Sequence, residues 1–280
     1  MTLLRRVAGA LGNYLLLAAL AAFFLFPVVI MIVSSLKPDD QLIIRDLATP
    51  MAFVPSVVSL KNFRDVFANL PFGLAMRNSL VIVGSIVVIG LFVNSMAAYA
   101  LARMRFRGRS LVIGVVVALM IIPFESISVP LLLMVNRVGW LDTLYVQVVP
   151  FIADAFSIFL FYQFFINLPR DIEEAAVVDG ASRLRIYWSI LLPLSRPVMA
   201  TASILLFLRY WGQLLWPVMV ARSTEVRPLP LAMQQFFGQQ PREWGQIMAF
   251  AAMITVPVLI VYLIFNRWFV QSIASSGVKG

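Results

Sequence analysis

Apolar residues in this chain run for more than twenty positions at a time with little interruption, then give way to short polar stretches. Six such runs stand out, at 13–36, 78–101, 111–135, 145–166, 198–221 and 246–266. Each is long enough to cross a hydrocarbon core of roughly 30 Å as a helix. Lipid offers backbone amides and carbonyls no partners, so spanning segments satisfy them internally, as helices do; the short alternating segments of barrel strands are missing. The pattern predicts an all-α, polytopic integral membrane protein with six transmembrane helices, forming a single domain over residues 1–280. The first run follows Arg5 and Arg6, as a secretory signal would. Its apolar stretch exceeds a signal core, and no small-residue cleavage site precedes Lys37, so it reads as an uncleaved anchor.

The polar stretches set the orientation. With the N-terminus inside, the inner segments 1–12, 102–110, 167–197 and 267–280 hold 12 Lys and Arg against four acids. The outer segments 37–77, 136–144 and 222–245 hold nine against seven. Short loops weigh most in the positive-inside rule. Arg103, Arg105, Arg107 and Arg109 crowd one short loop, whereas 136–144 carries only Arg137. The expected topology is therefore N-in and C-in. The arginine cluster reads as a topology anchor before a lipid-headgroup site. Leu60 to Asn69, in the proline-punctuated outer segment, suits a short interfacial helix.

Composition sharpens this picture by exclusion. Hydrophobic residues make up 61% and charged residues 12% of the 280 positions. Soluble domains run at roughly 45–50% and 25%, and mean hydropathy is +0.93. A soluble enzyme, a disordered chain and a disulfide scaffold are ruled out. Cysteine and histidine are absent, which removes thiol nucleophiles, imidazole bases and Cys/His metal centres. The net charge of +9 belongs to the flanks of spans in contact with membrane lipid, not to a nucleic-acid face.

The segment between the fourth and fifth runs, 167–197, is longer than a connector needs. Pro169 followed by Asp171, Glu173 and Glu174 starts a helix with negative charge at the positive end of its dipole. Ala175 and Ala176 keep one face slim, and Gly180 suits the left-handed position that ends it. Ser182 can cap a second helix running to about Leu192, where Pro193 and Pro197 break it. Two short helices joined by glycine make a docking element for a partner, or a re-entrant loop with none.

Glu174-Ala175-Ala176, Gly180 and Ile190-Leu191-Leu192-Pro193, at their fixed spacing and with Asp179 before the glycine, resemble the EAA motif. That motif marks permease subunits of binding-protein-dependent ABC importers. Gly139-Trp140-Leu141-Asp142-Thr143 and Trp211-Gly212-Gln213-Leu214-Leu215-Trp216-Pro217 resemble stretches of the carbohydrate, maltose-permease-like branch; Gly212 stands where that stretch carries asparagine. The resemblance implies the type I importer permease fold and a non-enzymatic transport subunit. It implies a second permease as heterodimer partner, two ATPase subunits and an extracytoplasmic solute-binding protein, in a bacterial or archaeal inner membrane. Glu173, Glu174, Ala175, Ala176, Asp179, Gly180 and Pro193 would then couple the chain to an ATPase, with Glu174 meeting an arginine there. The chain itself has no phosphate-binding Gly-x-x-x-x-Gly-Lys loop, so ATP and Mg would belong to the ATPase partners, with no cofactor and no metal here.

Three ionisable residues fall within runs: Glu125, Asp154 and Arg209. Each is costly at mid-bilayer and should face a cavity, the bundle interior or an opposite charge. Arg209 is expected either to pair with Asp154 or Glu125 or to line a substrate pathway. Trp211, Gln213 and Trp216 offer aromatic faces beside a polar group, a combination that suits sugars as well as it suits an interfacial aromatic belt. In the outer loop 222–245, Gln235, Phe236, Phe237 and Gln239 correspond to the family's binding-protein contact loop, or to an amphipathic interfacial segment. The functional expectation is a sugar or oligosaccharide importer subunit. Glycerol phosphate is the alternative solute; a secondary transporter or channel is the alternative class, which intramembrane charges and broken helices also suit.

Overall fold

The computed structural model describes the backbone of residues 2–55, 57–238 and 241–277, with side chains over 11–55, 57–238 and 241–265. Among these residues the regular structure is helical, with no strand. In chain order come α1 (Thr2–Ser35), α2 (Asp40–Asp46), α3 (Lys61–Asn69), α4 (Phe72–Arg103), α5 (Arg109–Leu119), α6 (Phe124–Arg137) and α7 (Ala155–Ile166). Next are α8 (Asp171–Val178), α9 (Arg183–Ile186), α10 (Leu192–Leu194), α11 (Arg196–Trp211), α12 (Leu215–Val220), α13 (Leu229–Phe237) and α14 (Trp244–Gly277). Four segments are long and apolar enough to cross a membrane, or six if each of two bent helix pairs counts as one span.

The first, second and sixth runs are continuous helices, but the other three are interrupted. The third breaks between α5 and α6, which lie at 106° to each other. Pro123 lacks an amide hydrogen and disfavours helical geometry at Ile122. In the fourth, residues 145–151 form two 3-10 turns and only α7 is a regular helix. Asp154 caps α7, accepting from the Ser157 amide at 2.8 Å, and a capping carboxylate bonds the backbone in place of a continuing turn. The fifth stops at Trp211 and resumes at Leu215. Gly212, a poor helix former, lies in that break.

The chain packs as two compact units. The smaller comprises residues 1–72 and 233–257. There the loop after α1 forms α2 and α3, the latter close to the expected 60–69 helix. Its interior includes a buried ion pair: Lys37, 1% exposed, pairs with Asp46 at 3.1 Å and donates to the Met51 carbonyl. The ammonium beside Asp46 holds its carboxyl below the usual range. Asp40 caps α14, accepting from the amides of Trp244 at 2.6 Å and Gly245 at 2.8 Å. Asn62 donates to the carbonyls of Ser35 and Lys37. Glycine at 245 leaves Asn62 in place, because a Cβ there would sit 2.5 Å from the Asn62 amide nitrogen and displace that side chain.

The larger unit, residues 73–232 and 258–280, has a core where α4, α7, the segment 176–191 and α11 meet. Ala98, Tyr99, Phe161, Phe165, Ile186, Tyr187, Leu191 and Ala202 fill it. Farther along α4, Gly90 lets the helix approach the Ile152 carbonyl, which a Cβ would meet at 3.3 Å. By contrast α5 buries no residue within the unit.

Candidate functional site

The segment 167–197 folds as the hairpin its residues predict. α8 opens with Asp171, Glu173 and Glu174 in its first turn. It closes with a paired cap: Gly180, at φ +76°, donates to Val177 and Ala181 donates to Ala176. That is the Schellman pattern, in which the left-handed residue is normally glycine. Ser182 then caps α9 by accepting from the Arg185 amide at 3.3 Å. The second helix is not uniform, because Tyr187–Leu191 forms a wide π turn. Pro193 supplies no amide and crowds the carbonyl four residues before it, and the backbone opens ahead of it. The stretch Arg183–Leu194 meets α11 at 76°.

The two adjacent glutamates of α8 diverge. Glu174 and Ala175 are exposed, while Ala176 is turned into the core. Glu173 is turned toward α4 and pairs with Arg103 at 2.8 Å. Arg103 also donates to the Leu168 carbonyl at 2.7 Å. Burial pushes the Glu173 carboxyl up, with the Arg103 charge opposing. Val177 and Val178 are 59% and 86% exposed, Asp179 is exposed next to them, and Pro193 is exposed at the end of the second helix. The apolar tip of the hairpin is thus exposed, flanked by the exposed Glu174 carboxylate. A groove of about 410 Å³ runs between this face and α4, lined by Arg103, Arg170, Glu173, Glu174 and Arg183 among others.

A second site lies where the fourth and fifth runs are broken. Asp154 is 7% exposed and saturated: one oxygen accepts from the amide and hydroxyl of Ser157, the other from Arg209 at 2.7 Å. Its own amide donates to the Asn94 side chain at 2.9 Å. Of the two expected pairings for Arg209, the structure forms the one with Asp154. Arg209 keeps a half-exposed side chain and faces a cavity of about 460 Å³, lined also by Phe124, Phe151 and Tyr210. Glu125 sits apart, exposed in the first turn of α6 and without an ion pair among the described residues.

The aromatic residues of the fifth run belong to packing. Trp216 is fully buried, donates to the Val146 carbonyl at 3.0 Å and meets Phe124 and Phe151 edge-on. Trp211 is also buried and stacks on Phe207. The crevice beside Trp211, Gln213 and Trp216 has room of about 10 Å³, enough for one water at most. The expected stacking surface for a sugar is therefore closed within this chain at both tryptophans. In the 222–245 loop, Gln235 is half-buried and Phe237 exposed on α13. Phe236, expected as a contact residue, is buried against Phe250; Gln239 lies outside the described residues.

Sequence reasoning passed over Asn94, Ser157 and the intrachain role of Arg103, whose partner lies 70 positions away. Asp142 entered only as part of a motif. It adopts φ +59° and clasps the loop after α12, accepting from the amides of Arg222 and Ser223. Those donors, Ser223 foremost, hold its carboxyl below the usual range. The clasp is reinforced by Asn78, which donates to the carbonyls of Glu225 and Arg227.

Residues 86–275 match the family described as the binding-protein-dependent transport system inner membrane component. The chain belongs to that family. It is similar, at 31% identity over 94% of both chains, to the arabinooligosaccharides transport system permease protein AraQ of Halalkalibacterium halodurans. It is 32% identical, over 93% of both chains, to a probable starch degradation products transport system permease protein, AmyC, of Thermoanaerobacterium thermosulfurigenes. The sn-glycerol-3-phosphate transport system permease protein UgpE of Yersinia pestis is 29% identical, over 90% of this chain and 91% of that one. In fold it resembles a chain of a bacterial ABC transporter involved in alginate import, with a TM-score of 0.82 at 24% identity, covering 94% of this chain and 97% of the other. As an inner membrane component of this transport family, the chain is a permease and not an enzyme.

Proposed function

We propose that this permease translocates a sugar or oligosaccharide delivered by an extracytoplasmic binding protein, and that partner ATPases drive it through the 167–197 hairpin. The observation that carries the coupling is the division of labour on α8: Glu173 is held within the chain, while Glu174, Val177 and Val178 are presented outward. An exposed carboxylate beside bare valines suits a cleft with an apolar floor and one arginine. Asp179 and Gly180 form the turn, and Pro193 limits the second helix. ATP and Mg belong to those partners. A second permease completes the pathway and covers the apolar faces of α5 and α6, and the arginine loop supports an N-in, C-in orientation.

For the solute, the sugar systems among the relatives support the first reading, and the chemistry of the mid-span site agrees with it. Asp154 neutralises Arg209, leaving hydrogen-bond donors without a net charge, as hydroxyls require. Glycerol phosphate, the cargo in one relative's name, would call for an unpaired cation. Trp211, Trp216 and Phe236 carry no solute or binding-protein contact in this reading; Arg209, Asp154, Gln213 and Glu125 remain the pathway candidates, and Gln235, Phe237 and Gln239 the binding-protein contacts.

The test is purification with native neighbours followed by Glu174→Ala. Co-purification of a second permease and an ATPase is expected, with Glu174→Ala releasing the ATPase or abolishing uptake. Recovery as a lone oligomer, or normal uptake by the variant, overturns the coupling. Competition of uptake by oligosaccharides, and not by glycerol phosphate, is expected for the solute.

A further inference from the structure

The hairpin is joined covalently only to α7 and α11, yet its closest polar ties run to α4. Ser95, Tyr99 and Arg103 recur every fourth residue and so share one face of that helix. Each reaches a different level of the hairpin. The Ser95 hydroxyl meets the Tyr187 hydroxyl at 2.8 Å, at the start of the π turn. Tyr99 donates to the Arg183 carbonyl at 3.4 Å, in α9. Arg103 pairs with Glu173 in α8 and donates to Leu168 ahead of it. Ala98 and Ala102, on the adjoining positions, are 0% and 2% exposed, so the helix packs closely where these ties form. Arg103 is 5% exposed along its side chain and Glu173 16%, so water competes little for the pair. The hairpin tip itself is bare. The hairpin is tied to α4 on one side and open on the other.

We infer that Ser95, Tyr99 and Arg103 are positioning residues that lock α4 to the coupling hairpin, with Arg103–Glu173 the principal tie, so that hairpin displacement is carried into α4 as well as into α7 and α11. The inference rests on the coupling role proposed above. Without the edge, a hairpin pushed by its ATPase would pivot on its two covalent stalks and leave α4 behind. Arginine suits the main position because one planar group serves both the Glu173 carboxylate and the Leu168 carbonyl; lysine offers a point charge to one of them.

The test uses the full complex in proteoliposomes and reads solute moved per ATP hydrolysed, normalised to assembled complex. Arg103→Gln and Glu173→Gln should lower this ratio about tenfold, within the range of ordinary coupling energies, with the ATPases still co-purifying. Arg103→Lys should fall between these and wild type, and Tyr99→Phe and Ser95→Ala should have smaller effects. The exchanged pair, Arg103→Glu with Glu173→Arg, should recover much of the ratio. A purely structural role would lower the amount of assembled complex and leave the ratio per complex unchanged; that result overturns the inference. Failure of the exchanged pair to assemble, or to recover any of the ratio, also overturns it. Glu174→Ala separates the two claims: if it keeps normal uptake, the coupling reading itself fails. If it uncouples while the Arg103 and Glu173 variants behave as wild type, only the positioning edge fails.

Discussion

Two arginine–carboxylate pairs in the larger unit have nearly equal lengths, 2.7 Å for Arg209–Asp154 and 2.8 Å for Arg103–Glu173, but opposite exposure. At the hairpin the arginine is the covered partner, 5% exposed, in ion-pair contact with Glu173 and donating one hydrogen bond to the Leu168 carbonyl. At mid-span the carboxylate is covered, while the arginine side chain is 56% exposed toward the cavity. A covered guanidinium beside a carboxylate on another helix ties the two helices together. A guanidinium tethered through one nitrogen keeps its remaining donors for whatever enters the cavity. Equal distances therefore describe different jobs, and coverage tells them apart.

The largest effect should come from Asp154→Ala. It removes the acceptor shared by the Ser157 amide, the Ser157 hydroxyl and Arg209, and losing these charge-assisted hydrogen bonds together costs about 3–5 kcal/mol. Thermal unfolding in detergent should show that loss, with little complex assembled. Arg209→Ala should cost less, about 1.5–3 kcal/mol, because Ser157 still satisfies the carboxylate. Its complex should assemble and its uptake KM should shift several-fold. Equal destabilisation by the two variants would break the comparison, since Arg209 would then be structural too. Trp216→Phe should cost about 1–2 kcal/mol, from one lost hydrogen bond and the small cavity left by the indole, seen as lower thermal stability.

The smallest effect concerns pH. Asp142 has a lowered folded value, so its stabilisation is present above the ordinary carboxylate range and is lost as pH falls through that lower value. Hydrogen exchange at Arg222 and Ser223, compared with Asp142→Asn at each pH, should show full protection down to about pH 4 and loss below. Glu173, raised by burial, takes its proton at higher pH than an ordinary glutamate. On acidification the hairpin pair should lose its charge before the loop clasp does.

Hydropathy alone located the helices that lipid demands, and α4 and α14 contain the runs at 78–101 and 246–266. The hairpin was legible as well, since Gly180, Ser182 and Pro193 act through local backbone chemistry. What a single run could not disclose was its own interruption. Asp154 starts a helix in the middle of the fourth run, and its backbone amide and carboxylate are held by Asn94 and Arg209, 60 and 55 positions away. Adjacent Glu173 and Glu174 are chemically alike, so their division depends on Arg103 standing beside one of them. Trp216 and Phe236 looked available because aromatic residues near a span end serve equally as belt, ligand face or core. Neighbours distant in sequence decide among these.

The capping of α14 by Asp40 also bears on how the chain is made. Asp40 and Trp244 are separated by 204 positions. At about 5–20 residues per second, the ribosome needs on the order of 10–40 s to supply the amides this carboxylate accepts. Throughout that interval the smaller unit exists as a front half only, with Asp40 waiting for α14. Gly245 then enters beside Asn62 without a side chain to displace it. The cap that joins α2 to α14 is therefore among the last contacts of the smaller unit to become available, and a chain that stops before Trp244 leaves Asp40 without the amides it accepts from.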